Sequence, residues 1–396
     1  MQLNLLVTPY QNRKLPVYKW YNYNHSFSRG LVTQIIESLS LKSKDKILDP
    51  FCGTGTTLLA SREKGIPAVG IDILPLSVFI SSAKVRNYDQ TLIKEKTCEI
   101  QSLLSKKSDV KLLDDTLTKY FPEKVLKNIF LVDRWCENSC CEETKYFFLT
   151  AMMSILEKVS YTRKDGGFLR ILPQKIVPDF NPLFFAKLED MMVDLDFLNA
   201  LPAVKVISLE GDARQLNFAD NTFSAVITSP PYLNRHDYTR VYLLELLVSL
   251  VKSQESLKNL RYKTLCSHVE AKRMFSVDNY KPPGTLEALL KKLKTRALPN
   301  KQVLRMIENY FEDMYLVLKE CQRVIRQGGN ATFVIGNVRY GGIKIPVGEI
   351  LIDIGDEVGL KLKEKTVARL RGNSPQQMGK YGREPVEEYV ITWEKK

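Results

Sequence analysis

The stretch KDKILDPFCGTGTTLLASREKGIPAVGIDI, from Lys44 to Ile73, contains a complete strand–turn–helix–strand unit. KDKILDP (44–50) is predicted to be a short strand that ends at Asp49 and Pro50, and IPAVGIDI (66–73) a second strand. Between them, FCGTGTTLLASREKG (51–65) has a glycine turn that opens a helix, which stops at Gly65. Two strands joined by one helix form a parallel pair with a right-handed crossover. This unit predicts an α/β fold built on a parallel sheet.

The same alternation of strands and helices recurs in other parts of the chain. A helix is predicted in LPLSVFISSAKVRN (74–87), and strands are predicted in AVKVISLEGDA (203–213) and FSAVITSPP (223–231). Towards the carboxyl end, a long helix at 303–329 precedes the strand NATFVIGNV, a further helix, and two final strands, LKLKEKTVARLR and VEEYVITWEK. The pattern predicts one α/β domain that is built from separated segments.

Two segments break this alternation. From about 91 to 200 the chain has long amphipathic stretches, which predict a helical insertion, and a mixed, lysine-rich segment follows at 251–308. The predicted organisation is therefore a catalytic domain formed by 1–90, 201–250 and 309–396, interrupted by a helical insertion at 91–200 and a basic insertion at 251–308.

Composition restricts the class of protein. The 396 residues are 44% hydrophobic, which is enough for a substantial core, and the net charge of +13 favours a polyanionic partner, with nucleic acid as the first candidate. No apolar run reaches the roughly 18 residues of a membrane span, and the amino terminus lacks the pattern of a signal peptide. We therefore expect a cytoplasmic protein with no membrane contact.

The cysteines do not predict a metal site. All seven are scattered except for the cluster WCENSCC, which holds Cys136, Cys140 and Cys141. A zinc site needs a fourth ligand at suitable spacing, and the three histidines are far away in sequence. A structural role for the cluster is favoured, and no metal is predicted.

Glycines and acidic residues follow the ends of the predicted strands. Gly53 and Gly55 lie between the first strand and its helix, where the absence of side chains permits a ligand to approach the backbone. The turn matches neither the six-residue dinucleotide pattern nor a phosphate loop. Ligands of doubly wound sheets bind over the carboxyl ends of the strands. The ends of four predicted strands, at Asp49, Asp72, Asp212 and Ser229, are therefore expected to lie around one crevice.

Asp72 has two interpretations. A carboxylate at the end of the second strand can accept two hydrogen bonds from ribose hydroxyls, as in nucleoside-binding α/β folds. Alternatively, Asp72 caps the helix that follows it.

The prolines in ITSPPYLNRHDYTR (227–240) end the fourth predicted strand abruptly. Pro230 and Pro231 cannot donate to a neighbouring strand, and they leave the carbonyls of Ser229 and Pro230 directed away from the sheet. A stiff loop without function would have the same sequence. The agreement of four strand ends favours a functional loop.

In four motifs the chain resembles the amino-methyltransferases that use S-adenosylmethionine to methylate exocyclic nitrogens of DNA bases: DPFCGTGT (49–56), GID (70–72), GDAR (211–214) and TSPPY (228–232). The resemblance implies a Rossmann-like class I methyltransferase fold, with a mostly parallel seven-stranded sheet and an antiparallel terminal strand. It does not extend to the two insertions.

The resemblance also implies roles for individual residues. Asp72 would hold the ribose of S-adenosylmethionine, and Asp212 would reach its adenine. The stretch YNYNHSFSRGLV (21–32) resembles a further cofactor motif and places Phe27 and Ser28 near the methionine carboxylate. The glycine loop would hold the methionine part through Asp49, Phe51, Gly53 and Gly55.

The predicted catalytic residues are Ser229, Pro230, Pro231 and Tyr232. An exocyclic amine is a poor nucleophile because its lone pair is delocalised into the ring, and acceptors on its N–H bonds favour rehybridisation. The Ser229 hydroxyl and the Pro230 carbonyl supply such acceptors, and the proline pair makes them rigid. Tyr232 supplies a surface on which an extruded base stacks.

The resemblance favours cytosine N4 as the target, because family members with Ser before the prolines are mostly cytosine-N4 enzymes. Adenine N6 is the alternative. The residues themselves indicate only that a Ser hydroxyl can both donate and accept, so it could pair with ring N3 as well as with the amine.

DNA recognition is assigned to the insertions. Residues 251–308 contain 13 Lys or Arg and 5 Asp or Glu, a balance of 13 − 5 = +8, which is typical of phosphate-binding regions and also of an ordinary solvated surface. The loop YTRKDGGFLR (161–170) is a second candidate. The basic loop RGNSPQQMGKYGREP (371–385) either closes over a ligand or is an ordinary hairpin loop.

The leading hypothesis is a sequence-specific DNA methyltransferase, monomeric or weakly dimeric, in a restriction–modification or defence system with a possible cognate restriction endonuclease. Double-stranded DNA is its expected partner. An RNA amino-methyltransferase and a non-catalytic DNA-binding protein are the alternatives, and the intact Ser-Pro-Pro-Tyr loop argues against the second.

Overall fold

The computed structural model describes residues 2–106, 116–251, 253–275, 277, 280–296, 298, 300–372, 379 and 382–396. Residues 373–378, 380 and 381 of the predicted covering loop lie outside these ranges. The strands are β1 (Ile47–Asp49), β2 (Ala68–Asp72), β3 (Thr162–Asp165), β4 (Phe168–Ile171), β5 (Val206–Glu210), β6 (Phe223–Thr228), β7 (Ile325–Gly336), β8 (Val338–Tyr340), β9 (Ile343–Ile345), β10 (Leu360–Arg371) and β11 (Val386–Lys395).

A seven-stranded sheet in the order β10-β11-β7-β6-β1-β2-β5 organises the structure. The strands β7, β6, β1, β2 and β5 are parallel to their neighbours, whereas β11 runs antiparallel to both β10 and β7. The central strands are buried on both faces, which explains why their sequences are short apolar runs without alternation. The predicted fold class, with a mostly parallel sheet and an antiparallel final strand, is confirmed.

Helices cover both faces of the sheet and build the insertions. Besides two short 3₁₀ turns at Gln11–Arg13 and Tyr18–Trp20 and a π-helical turn at Leu246–Leu250, the described helices are α1 (Leu3–Leu6), α2 (Arg29–Ser38), α3 (Thr56–Glu63), α4 (Pro75–Val85), α5 (Gln90–Ser105), α6 (Glu123–Ser139), α7 (Glu142–Ile155), α8 (Phe180–Met192), α9 (Leu195–Asn199), α10 (Tyr238–Val241), α11 (Leu243–Glu245), α12 (Gln254–Lys263), α13 (Gly284–Lys294), α14 (Val303–Val324) and α15 (Val347–Glu357).

The segment between β2 and β5 contains α5 to α9 and the β3–β4 hairpin. Its helices share a hydrophobic core with the amino-terminal segment, in which Trp20 packs edge-on against Phe147 at a ring distance of 5.6 Å. The Trp20 indole and the Val17 amide both donate to the carboxylate of Asp194, at 2.9 and 2.8 Å. The buried carboxylate therefore ties the start of the chain to the insertion.

The boundary between α14 and β7 differs from the sequence prediction. The helix was expected to extend to Gly329, but it ends at Val324, and the strand begins at Ile325. A Cβ on Gly329 would lie 2.7 Å from the Ser224 carbonyl oxygen, so the glycine permits close approach of β7 to β6. The glycines therefore belong to an irregular strand and not to a helix end.

No helix in the described ranges is long and apolar enough to cross a membrane.

Candidate active site

A cavity of about 750 Å³, including its open mouth, lies at the carboxyl ends of β1, β2 and β6. The cavity lies where a doubly wound sheet is expected to bind its ligand. Seven of the predicted site residues line it: Phe27, Asp49, Phe51, Gly53, Asp72, Ser229 and Pro231.

The glycine turn at the start of α3 forms one wall of this cavity. Gly53 and Gly55 have φ values of 50° and 80°, in the left-handed region that favours glycine. A Cβ on Gly55 would lie 2.8 Å from the Cβ of Ser81 on α4, so a side chain here would push the two helices apart. Gly53 lines the cavity, whereas Gly55 shapes the turn from behind.

Asp72 connects the glycine turn to the end of β2. One carboxylate oxygen accepts from the Gly53 amide and the other from the Leu74 amide, both at 2.9 Å. Each oxygen keeps a lone pair for a further donor. Burial raises the pKa of Asp72 to about 6. Because α4 begins at Pro75 and the Asp72 oxygens bind amides that precede it, Asp72 holds the loop and does not cap the first turn of the helix.

Asp49 joins the ends of β1 and β6. Its carboxylate accepts from the Thr228 hydroxyl at 2.6 Å and from the Phe51 amide at 3.2 Å. The residue is 2% exposed, and burial raises the pKa of Asp49 to about 6. Asp49 therefore fixes the glycine turn relative to the loop that follows Thr228.

The Ser-Pro-Pro-Tyr loop is held in place by hydrogen bonds from outside it. The Ser229 hydroxyl donates to the Val334 carbonyl on β7 at 3.2 Å, and the Tyr310 hydroxyl donates to the Pro231 carbonyl at 3.0 Å. Among the described residues, no hydrogen-bond donor contacts the carbonyl oxygen of Pro230. Since the Ser229 proton is committed to Val334, its oxygen lone pairs are left to accept, and the loop presents two fixed acceptors.

Tyr232 lies beside the cavity and has two partners that the sequence did not indicate. Its hydroxyl donates to the buried carboxylate of Glu388 on β11 at 2.7 Å, and the Arg371 guanidinium lies over its ring at 5.1 Å from the centroid. Burial raises the pKa of the Tyr232 hydroxyl well above its usual value. A Cβ on Gly336 would lie 3.0 Å from the ring, so this glycine permits Tyr232 to pack against the end of β7.

Besides Gly55, two further predicted cofactor residues lie outside the cavity lining. The Asp212 carboxylate is paired with the fully buried Arg214 guanidinium at 2.7 Å, and Arg214 also contacts Asp313 at 3.0 Å. Ser28 is fully buried, and its hydroxyl accepts from the Leu31 amide at the start of α2. The adenine contact of Asp212 and the carboxylate contact of Ser28 stay predictions.

Comparison with known proteins decides the family. A sequence model described as DNA methylase matches residues 7–80. The chain is 32% identical to the Type II methyltransferase M.BsoBI of Geobacillus stearothermophilus, over 98% of this chain and 88% of that protein. It is 30% identical to the Type II methyltransferase M.AvaI of Anabaena variabilis, over 97% and 87% of the two chains. The chain belongs to the N4/N6 family of Type II DNA methyltransferases. The resemblance seen in the four motifs is thereby confirmed.

The family implies S-adenosylmethionine as the cofactor of this methyltransferase, as predicted from the sequence. The residues present fit the group. A turn without side chains, the aromatic ring of Phe51 and a carboxylate with free lone pairs surround one cavity. Within the described ranges, no three His, Cys, Asp or Glu side chains come together as a metal site.

The cavity is also lined by residues that the sequence analysis did not select. Tyr23, His25 and Tyr238 form one side of the cavity, with the His25 ring 5.1 Å from Tyr238 and 5.4 Å from His236. Burial lowers the pKa of His25 to about 3, so its ring is neutral at physiological pH. The position of His25 within the quoted stretch YNYNHSFS was the available signal, because its neighbour Phe27 had already been assigned to the cofactor.

The basic insertion contributes directly to the cavity wall. Thr264, Leu265, Ser267 and His268 line it, and the Thr264 hydroxyl lies 2.9 Å from Nε2 of His268. His268 also lines a larger neighbouring groove, of about 1610 Å³ with its open mouth included. The insertion therefore connects the catalytic cavity to a second concave surface.

Proposed function

We propose that this methyltransferase transfers a methyl group from S-adenosylmethionine to the exocyclic N4 amine of a cytosine extruded from duplex DNA. The observation that carries the proposal is the pair of fixed acceptors, the Ser229 hydroxyl oxygen and the Pro230 carbonyl, at the edge of the cavity that contains Asp72. As a Type II methyltransferase, it would act in the cytoplasm as a monomer or weak dimer, and protect DNA from a cognate endonuclease.

The cofactor is proposed to lie across the ends of β1 and β2. S-adenosylmethionine supplies an electrophilic methyl group on a sulfonium. Asp72 accepts from the ribose hydroxyls with its free lone pairs, and Asp212 is the proposed adenine contact. The methionine part is held by Phe27, Ser28, Asp49, Phe51, Gly53 and Gly55.

The protein residues act on the amine mainly by positioning. Ser229 and Pro230 accept hydrogen bonds from its two N–H groups, which favours rehybridisation of the nitrogen and localises its lone pair in line with the methyl group. Once the new N–C bond has formed, the nitrogen releases one of its protons to solvent. Hydrogen bonds from Ser229 to Val334 and from Tyr310 to Pro231 keep the loop rigid, so these acceptors need no rearrangement when the base enters. Tyr232 stacks on the base, which must leave the duplex to be reached.

Cytosine is proposed over adenine because of Ser229. The Ser229 oxygen can accept a hydrogen bond from the amine of either base. The preference for cytosine therefore rests on the Ser-Pro-Pro-Tyr motif, which cytosine-N4 members of the family share. Adenine N6 is the alternative target of the same mechanism.

Cofactor binding should weaken as the pH falls through about 6, because burial raises the pKa values of Asp72 and Asp49 to about 6 and protonation turns one acceptor oxygen of each carboxylate into a donor. For one linked carboxyl, the dissociation constant should rise about tenfold per pH unit below that value. Since raised carboxyl pKa values favour the protonated folded state, these groups do not destabilise the fold over the same range.

Isothermal titration calorimetry with S-adenosylmethionine between about pH 5 and pH 8 checks this dependence. Asp72→Asn is the matched variant, and its profile should be flatter than that of the wild type. A wild-type profile without a change around pH 6 would remove Asp72 from the cofactor site.

DNA backbone binding is assigned to the groove beside the cavity. Five cations line it, and among the described residues no carboxylate pairs with three of these, Lys258, Lys272 and Arg305. Lys272 lies over the Tyr262 ring at 3.8 Å, which holds its ammonium at the groove surface. These cations are available to neutralise phosphates.

Replacing both Lys258 and Lys272 by Gln should weaken duplex binding and reduce the steepness of its salt dependence by about 1 to 2 in a plot of log affinity against log salt. The double variant of Lys42 and Lys44 to Gln is the control, because these exposed lysines precede β1, at the opposite end of the sheet. Fluorescence anisotropy across a salt series provides the measurement. Equal slopes for the two double variants would contradict the assignment.

The proposed reaction is tested with labelled S-adenosylmethionine, duplex DNA of mixed sequence and RNA, followed by digestion to nucleosides and mass spectrometry. Labelled N4-methylcytosine from the duplex is expected. Labelled N6-methyladenine would overturn the choice of base while keeping the site, and label in RNA alone would overturn the choice of polymer. Binding of DNA without any transfer would favour a non-catalytic protein.

A further inference from the structure

The β3–β4 hairpin of the helical insertion lies directly beside the catalytic loop. Gly166 forms its tip with φ of 60°, and a Cβ on the next residue, Gly167, would lie 2.9 Å from the His236 ring. His236 follows the Ser-Pro-Pro-Tyr loop by four residues, and its ring contacts His25, which lines the cavity. The hairpin tip is therefore next to the entrance through which a base must pass.

The inward face of this hairpin is anchored to the protein. Lys164 donates to the buried carboxylate of Glu245 at 2.5 Å and lies over the Tyr242 ring at 4.5 Å. Leu169, its partner across the hairpin, packs against the core of the insertion. Tyr242 stacks in turn on Tyr23 of the cavity wall at a ring distance of 5.1 Å. The hairpin is thus fixed relative to the active site.

The outward face carries an exposed aromatic side chain beside charged ones. Side chains alternate along a strand, so Arg163, Asp165, Phe168 and Arg170 share the face opposite Lys164 and Leu169, with Phe168 across from Asp165 and Arg163 across from Arg170. Arg170 pairs with Asp165 at 3.3 Å. Phe168 is 59% exposed, and the Arg170 side chain is 58% exposed. The ring of Phe168 is largely left in solvent by the described part of the chain, so its full burial would require a partner from outside that part.

We propose that Phe168 is a wedge that inserts into the DNA base stack when the target base is extruded, with Arg163 on an adjacent phosphate. The proposal rests on the proposed function and deepens it. An extruded base leaves an apolar gap between its neighbours, and an apolar side chain that enters the gap replaces the lost stacking. The positive charge of Arg163 matches the negative charge of the DNA backbone beside that gap.

The test compares Phe168→Ala with the wild type on two duplexes. The first carries the site that the wild-type protein methylates, and the second carries the same site with the target base mispaired. A mispaired base costs less to extrude, so it depends less on a wedge. Single-turnover transfer by the variant should fall at least about tenfold on the paired duplex and stay within about threefold of the wild type on the mispaired duplex.

Two controls separate a wedge from a structural role. Ile176→Ala removes an apolar side chain of the same insertion that is 93% exposed, and it should leave both rates unchanged. Phe168→Trp keeps a large aromatic ring and should retain most of the activity on the paired duplex. S-adenosylmethionine affinity, measured by calorimetry, should be unchanged in all three variants.

Each other outcome overturns the proposal. A wild-type rate for Phe168→Ala on the paired duplex would show that no wedge is needed. Equal losses on both duplexes would show that Phe168 supports DNA docking or the site and not extrusion. Failure of the proposed function is recognised separately, because the wild-type protein would then transfer no methyl group to either duplex.

Discussion

Tyr232→Ala should lower single-turnover methyl transfer to duplex DNA by about 10- to 100-fold, because base–aromatic stacking contributes about 1–3 kcal/mol. S-adenosylmethionine affinity should change by less than about threefold, since Tyr232 is absent from the cavity lining that surrounds Asp72 and Gly53. Rapid-quench kinetics and calorimetry measure the two quantities. The assigned role is tested by the difference between a large loss of transfer rate and a small change in cofactor affinity.

Tyr232→Phe is the matched control. It keeps the ring and removes the hydrogen bond to Glu388, whose carboxylate still has Arg369 as a partner. A loss below about tenfold is expected for removing this one hydrogen bond, because the remaining partner limits the cost. If Tyr232→Phe and Tyr232→Ala lower the transfer rate by the same factor, the hydroxyl is needed and the ring is not. The stacking role of Tyr232 would then be wrong.

Asp72→Ala should have the opposite profile. Two hydrogen bonds from ribose hydroxyls to a carboxylate are lost, and each is worth about 1.5–3 kcal/mol, so S-adenosylmethionine affinity should fall by about 100-fold or more. Duplex affinity in the absence of cofactor should be close to that of the wild type, because the proposed phosphate contacts lie in the neighbouring groove. Calorimetry for the cofactor and anisotropy for the duplex provide the measurement.

The alanine variant also removes the acceptor for the Gly53 and Leu74 amides, so the glycine turn itself could move. Asp72→Asn controls for this, since its side-chain oxygen keeps the shape of the site and one acceptor. We expect an intermediate loss of cofactor affinity and a modest fall in the thermal unfolding midpoint, because the Asn side-chain NH2 faces one of the two backbone donors. Equal losses of cofactor and duplex affinity in Asp72→Ala would contradict the division of roles between Asp72 and Tyr232.

The fold was predictable because its decisive signals are local. The first strand, the glycine turn, the helix and the second strand lie within Lys44 to Ile73, and parallel pairing then places Asp49 and Asp72 at one edge. The loop after β6 was predictable for the same reason, because two prolines leave few backbone conformations. Each of these inferences needs only neighbouring residues and the geometry of a parallel sheet.

The partners of Tyr232 could not be predicted in this way. Glu388 is 156 residues away in sequence, and it reaches Tyr232 because β11 pairs with β7 in an antiparallel register. Arg371 comes from the end of β10, beyond β11 in the sheet. Such contacts depend on the order of strands across the sheet, which the residues near the motif do not encode.

The sequence places Asp212 at a site position but does not show whether its carboxylate is free to bind a ligand. Its position after β5 is the one expected of a site residue, but Arg214 is only two residues further on and pairs with it while also contacting Asp313 on α14. A strand-end carboxylate and a neighbouring arginine can serve a ligand or each other. The sequence alone does not distinguish the two, because the choice depends on a helix about a hundred residues away.

The central claim is that the Ser-Pro-Pro-Tyr loop receives the amine of an extruded cytosine. A crystal structure of the methyltransferase with a non-reactive cofactor analogue and a duplex containing its methylation site tests this most directly. We expect the cytosine outside the helix, with its amine nitrogen within about 3.2 Å of both the Ser229 hydroxyl oxygen and the Pro230 carbonyl oxygen. A cytosine that stays paired in the fully bound complex, or an extruded base with its amine remote from both oxygens, would contradict the account.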